Sequence, residues 1–363
     1  MMRTFVTRLI ALAVCTLVPA GLAQRALAQT TAPPESPKVV VDADGTVHVP
    51  PETVPVSSFL SPEAKAYVAQ HLIQMQDPEL VKQDQGVPRF MKPFIERDNA
   101  LFAVDRADEK IGGVHVYVYT PKSGIAAMNE KRVLIDLHGG GFSGCWPGCA
   151  ELESMPISAL MQIKVVTVDY REGPDYKFPA ASEDVASVYS ELLRTYRAKN
   201  IGVYGCSAGG GLTAMSMAWF QTHGLPSPGA IGIYCASAGG FGGDGSYTAS
   251  PLGEARIPLS VEPSALIFGY FSTAKPNDPL VSPIDSPEIL AKFPPTLLIT
   301  GSRDFAVSGA LYTHEQLVKQ GVDAELHVWE GLFHGFFYNA DVPESRDAFN
   351  VMINFFNSHL GRK

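Results

Sequence analysis

The sequence predicts an α/β fold, a mostly parallel central sheet flanked by helices, from three observations. Short apolar runs bounded by Gly, Asp or Pro recur at Val133–Leu137, Val165–Val168, Ile201–Tyr204, Ala230–Cys235, Thr296–Thr300 and Leu326–Trp329, the pattern of strands buried on both faces. Helical patterns fill the gaps at Leu152–Gln162, Ala181–Tyr196, Gly209–Gln221, Ala310–Lys319 and Ser345–Leu360. Strand and helix alternating this often implies crossover connections between parallel strands. The third observation is supply: 363 residues that are 46% hydrophobic can fill a sizeable core.

The elements follow in chain order. Residues 1–28 read as a secretory signal peptide: Arg3 and Arg8 precede the apolar run Leu9–Ala23, and Ala26-Leu27-Ala28 offers a cleavage site before Gln29. That run holds Pro19 and Gly21 and falls short of the roughly 20 residues of a spanning helix. The mature chain is therefore expected to be exported, to the periplasm or outside the cell, with no membrane span. Residues 29–55 are Pro-rich and polar, a linker or loosely held arm.

Over residues 56–99 the pattern turns helical. Ser61-Pro62-Glu63 supplies an N-cap and a first-turn Pro, Ala64, Val68, His71 and Met75 share one face, and a second helix follows Asp77-Pro78. The core spans 100–363. It opens with Val114, Val116 and Val118 alternating with His115, Tyr117 and Tyr119, the period of a half-buried strand. Two segments break the strand–helix alternation: 56–99, and a Gly- and Pro-rich insertion at 237–292 after the sixth strand. Together they are expected to form one helical cap over the carboxyl ends of the strands, where ligands bind in such sheets.

Composition excludes several classes of function. Acidic residues outnumber basic ones 37 to 28, for a net charge of −9, and no Lys/Arg run occurs, which argues against a nucleic-acid surface. Five cysteines cannot build a disulfide framework. His48, His71, His115, His223, His314, His327 and His359 are scattered without ligand spacing, so no metal site is expected, and no cofactor. Oligomeric state stays open between monomer and dimer.

The strongest local signal is Gly205-Cys206-Ser207-Ala208-Gly209, between the run Ile201–Tyr204 and a small-residue helix. Glycines there permit a strand-to-helix turn tight enough to project a serine hydroxyl above the sheet. A rival is dinucleotide binding, because Gly205, Gly209 and Gly211 have the spacing of short-chain dehydrogenases. That fingerprint belongs on the first strand, however, and none of the thirteen tyrosines has Lys four residues later. Cys235-Ala236-Ser237-Ala238-Gly239 only echoes the elbow, and Ser237 is expected to end a strand.

A serine hydroxyl needs a base, and the base an orienting acid. Asp304 lies just past the strand Thr296–Thr300 and His334 just past the last strand, in the order such a triad requires. His138-Gly139-Gly140-Gly141-Phe142, directly after Val133–Leu137, lets the main chain approach a developing oxyanion.

With these motifs the sequence resembles bacterial members of the hormone-sensitive lipase family of α/β-hydrolases over residues 100 to 360. The resemblance includes Val168-Asp169-Tyr170-Arg171, Phe178-Pro179-Ala180-Ala181 with Glu183-Asp184, Ser282-Pro283, Pro294-Pro295 and His334-Gly335-Phe336. It implies a serine carboxylesterase acting on small-molecule esters of short to medium acyl chain or small alcohol. Ser207 would be the nucleophile, His334 the general base, Asp304 its orienting carboxylate, and the amides of Gly140, Gly141 and Ala208 the oxyanion hole. His138 would hold the glycine loop in place.

Departures stand beside the resemblance. Cys206 replaces the Asp that the family often has in the elbow, Glu172-Gly173 replaces the usual Leu-Ala after Arg171, and the Asp304 loop lacks a second acidic residue. Cys145 and Cys149, just after the glycine loop, either pair as a disulfide or remain free thiols. The same triad would serve an amidase or peptidase, and the fold alone would serve a non-catalytic binding protein.

Overall fold

The computed structural model describes residues 38–255, 269–275 and 277–361. The expected signal peptide, and the linker up to residue 37, lie outside the described residues. The chain divides after Thr53. In the first unit, Val40–Val41 and Val47–His48 pair antiparallel around a turn closed by His48 Nε2 and Asp42 Oδ2 at 2.7 Å. The arm expected there thus carries a small hairpin.

In the second unit eight strands form one sheet: β1 (Val104–Ile111), β2 (Val114–Pro121), β3 (Val133–Leu137), β4 (Lys164–Val168), β5 (Ile201–Cys206), β6 (Ala230–Tyr234), β7 (Thr296–Gly301) and β8 (Ala324–Trp329). Their order across the sheet is β8-β7-β6-β5-β3-β4-β2-β1. All neighbours from β4 to β8 pair parallel, and β2 runs antiparallel to both β1 and β4. The longer helices are α1 (Pro62–Met75), α2 (Lys92–Leu101), α3 (Gly148–Met161), α4 (Ala180–Leu192), α5 (Ala208–Thr222), α6 (Asp244–Glu254), α7 (Val307–Lys319) and α8 (Pro343–His359), and single turns stand at Pro78–Val81, where the second helix is expected, and Pro287–Leu290.

The period of two divides the strands between two cores. Leu134, Val165, Tyr204, Leu297 and Ile299 face α3 and α8, whereas Val133, Ile135, Val203, Ile231 and Leu298 face α4, α5 and α7. Burial on both faces explains why these runs are uninterrupted by surface residues. From β3 the chain crosses first to β4 on one side and then to β5 on the other. The carboxyl ends of β3 and β5 therefore flank the topological switch point, where α/β sheets place their ligand crevice.

Two elements depart from the sequence pattern. β1 is an added edge strand, Val-Asp-Arg-Ala-Asp-Glu-Lys-Ile, with its six central residues exposed. Within the stretch read as helical, Gln83–Asp84 pairs with Val87–Pro88 around Gln85 and Gly86, both at positive φ (54° and 81°), as a tight hairpin turn demands. The insertion after β6 contains α6, and residues 256–268 lie outside the described residues. Among the described residues no helix is long and apolar enough to cross a membrane.

Candidate active site

Ser207 joins β5 to α5 at φ 57°, ψ −121°, a left-handed conformation that costs a non-glycine residue and persists only where the surroundings impose it. They do so here. The Ser207 N–H donates to the Tyr234 carbonyl at the end of β6 (2.8 Å), and its own carbonyl accepts from Gly211 in the first turn of α5 (3.0 Å). A Cβ on Gly209 would stand 1.6 Å from the Leu137 carbonyl, so glycine is required where α5 passes the end of β3. The first amides of α5 lack intrahelical partners and carry the positive end of its dipole.

Asp304 follows β7 and is fully buried. Its Oδ1 accepts from His334 Nδ1 and from the Ala306 amide, both at 2.8 Å, and Oδ2 accepts from the Thr300 hydroxyl at 2.8 Å. Burial works to raise its pKa, but the charge and hydrogen bond of His334, with the other donors, hold it below the usual carboxylate value. His334, in the loop after β8, keeps 17% of its side chain exposed and stacks on Phe305. Burial works to lower its pKa; the Asp304 charge and hydrogen bond outweigh that and carry it to about 9. With Nδ1 committed to Asp304, Nε2 is the ring nitrogen left for proton transfer.

The loop after β3 is held from all sides. His138 is buried, stacks on Tyr170 at 4.3 Å, and bonds through Nδ1 to the Gly139 carbonyl (2.7 Å). Burial pushes its pKa down to about 4, which makes it a neutral brace. The Tyr170 hydroxyl donates to the His138 carbonyl (2.6 Å), and Gly173 N–H to the Phe142 carbonyl (2.7 Å). Gly140 and Gly141 take φ 122° and 65°, and a Cβ on Gly140 would meet the Gly144 carbonyl at 1.9 Å. Cys145 and Cys149 are joined as a disulfide, Cα–Cα 5.4 Å. Ser237 lies past the end of β6, its hydroxyl bonded within its own turn to Gly239 and Gly240.

Sequence reasoning missed two buried acids beneath this site. Glu153 on α3 accepts at Oε1 from the Gly139 amide (2.9 Å) and the Tyr338 hydroxyl (2.7 Å), and at Oε2 from the Cys206 amide (3.0 Å). Asp136, in the middle of the apolar run of β3, is fully buried and accepts from Ser154 Oγ (2.9 Å). An acid interrupting a buried strand was the available signal. The Arg171 and Asp184 motifs also meet, through Arg171 Nε and the Asp184 carboxylate at 2.9 and 3.0 Å.

Cys235 Sγ, Asp304 and His334 converge closely enough to suggest a metal, but the donors are committed elsewhere. Cys235 Sγ accepts from the Gly335 amide (3.3 Å) and burial pushes its thiol pKa well up; Asp304 holds His334. A cavity of about 90 Å³ opens beside His334, walled by Tyr67, His71, Met91, Phe94 and Phe333, with Glu254 at its edge.

Known proteins share this architecture. Residues 134–338 match a family described as having the alpha/beta hydrolase fold. An acetyl-hydrolase of Streptomyces hygroscopicus is 26% identical over 269 residues, covering 71% of this chain and 89% of the relative. The crystal structure of an esterase, E25, superposes with TM-score 0.74 at 28% identity over 86% of this chain and 98% of its own. The fold is also that of an esterase from the bacterial hormone-sensitive lipase (HSL) family, TM-score 0.68 at 23% identity, covering 83% of this chain and 99% of that one. With the elbow, the acid–histidine pair and the glycine loop each standing past the carboxyl end of a strand of this one sheet, the chain belongs to the α/β-hydrolase-fold family.

Proposed function

We propose that the chain is a serine carboxylic-ester hydrolase working through an acyl-enzyme. Ser207 Oγ attacks the ester carbonyl while His334 Nε2 takes its proton, and Asp304 orients and stabilises the resulting imidazolium. Negative charge developing on the carbonyl oxygen is met by the amides of Gly140, Gly141 and Ala208, donors of a kind worth roughly 3–4 kcal/mol each. The tetrahedral intermediate collapses as His334 protonates the departing alcohol. Water, activated by the same histidine, then releases the acid and restores Ser207. The observation that carries this reading is the 2.8 Å Asp304–His334 hydrogen bond, on the same sheet edge as the strained Ser207.

Short acyl or small alcohol groups are the proposed substrates, in keeping with the acetyl-hydrolase relative. An amidase or peptidase using the same residues is not favoured, because similar proteins that match most of the chain's core are named esterases or carboxylesterases. p-Nitrophenyl acetate turned over with no measurable hydrolysis of p-nitroacetanilide is the expected result. Faster cleavage of the anilide would overturn the ester assignment.

Export is part of the proposal. It rests on the charge, apolar run and cleavage site of residues 1–28, and the Cys145–Cys149 disulfide suits an oxidising compartment. N-terminal sequencing of protein recovered from periplasm or medium is expected to start near Gln29. Protein found only in the cytoplasm with Met1 intact would refute it.

A further inference from the structure

We propose that Glu153 is a positioning residue for this reaction, its one carboxyl group holding the glycine loop, the nucleophile elbow and the segment after His334 in a common register. The three groups it accepts from belong to three separate pieces of the machinery. Gly139 N–H opens the glycine loop, Cys206 N–H immediately precedes Ser207, and the Tyr338 hydroxyl stands four residues beyond His334. These pieces come from β3, from β5, and from the segment between β8 and α8; α3, which carries Glu153, is the element that touches all of them through one side chain. The Tyr204 hydroxyl donates to the Glu153 carbonyl at 3.0 Å and anchors its backbone as well.

The carboxyl group is buried, with the residue 4% exposed. Its neighbour Asp136 is fully buried and sits two residues before His138, so the pair lies directly under the glycine loop. Burial pushes the Asp136 carboxyl up to about 8 and the Glu153 carboxyl well above its ordinary value. Burial penalises the charged form of each acid, so the neutral carboxyl is favoured. A carboxyl group offers two accepting oxygens, one taken by Gly139 and Tyr338 and the other by Cys206. The NH2 of a glutamine cannot accept.

That difference defines the test, which rests on the serine-hydrolase reading. In Glu153→Gln, one orientation of the amide sets its NH2 against the Cys206 N–H, and the other sets it against the Gly139 N–H. Either way a backbone tether of the site is lost. A displacement on the scale of an ångström costs about 100-fold in rate. Turnover of p-nitrophenyl acetate should therefore drop about 100-fold in kcat per active site titrated with an organophosphonate, with KM within about twofold of wild type. The rate of organophosphonate labelling should fall in parallel.

A merely structural role would lower Tm and the titratable fraction but leave kcat per titrated site unchanged, and that result overturns the proposal. Should Glu153→Gln fail to fold, Tyr338→Phe decides. It removes one of the three donors and should lower kcat about tenfold with KM preserved; unchanged kcat overturns the proposal equally. Failure of the wild type to take label at Ser207 would instead defeat the serine-hydrolase reading itself.

Discussion

Ser207→Ala loses p-nitrophenyl acetate turnover by about 10⁴- to 10⁶-fold and loses organophosphonate labelling altogether, with its melting temperature close to that of wild type. The stability expectation follows from what fixes the residue. Ser207 is held at φ 57° by its amide bond to Tyr234 and its carbonyl bond to Gly211, and alanine keeps both. It also meets the same left-handed penalty, so the elbow is neither relieved nor further strained. What alanine lacks is the oxygen that becomes acylated. Residual turnover from the glycine-loop amides and from binding alone amounts to about 10³- to 10⁴-fold over water. An alanine variant retaining more than a few per cent of turnover, or still taking label, would move the nucleophile elsewhere. Ser237 is the serine to examine next, although its hydroxyl is already bound within its own turn.

The sheet was legible in the sequence to the extent that burial dictated composition. β3 to β7 lie inside the sheet with both faces covered, so nearly every residue had to be apolar, and the runs announce themselves. β1 obeys a different constraint. It pairs only with β2, at the edge, and charged side chains there protect the open edge from pairing with other chains. Such a strand resembles a polar loop. The Gln83–Asp84/Val87–Pro88 hairpin was hidden for another reason: its signal is the Gln85-Gly86 turn, short beside the helical periodicity on either side.

The site divides along the same line. Ser207, Asp304, His334 and the glycine loop were legible because each sits immediately after a recognisable strand, where local spacing carries the information. Asp136 and Glu153 were not. Their partners are set by packing of α3 against β3 and β5, and the Glu153–Cys206 contact spans 53 residues. Nothing near Glu153 in the chain distinguishes it from its helix neighbour Glu151, which pairs with Arg106. Cys206 is legible only in retrospect. Where the family often places an acid inside the elbow, this chain has a thiol, and a carboxyl group reaches the elbow amide from α3 instead.

Asp304→Asn lowers kcat about 10⁴-fold and moves the rising limb of the pH profile toward acid. Only neutral His334 can accept the serine proton, so wild-type kcat/KM climbs with pH through a value near 9, the position to which Asp304 carries the imidazole against the effect of burial. Without the carboxylate, the two largest effects that hold the imidazole up against burial are gone, and the limb moves toward acid. The plateau falls as well. An asparagine oxygen facing His334 keeps the tautomer but not the charge that stabilises the imidazolium, and the flipped amide forces the proton onto Nε2 and removes the base. Stability supplies an independent check of sign. The raised pKa of His334 means that its partner stabilises the fold fully below pH 6.5, an effect lost as pH rises through about 9. The lowered pKa of Asp304 gives stability present above 3.8 and lost as pH falls further. The melting-temperature gap between wild type and Asp304→Asn should therefore be widest between about pH 4 and 6.5 and should narrow toward pH 9. A variant with the wild-type limb and an unchanged gap across that range would show that Asp304 is not the partner that governs His334.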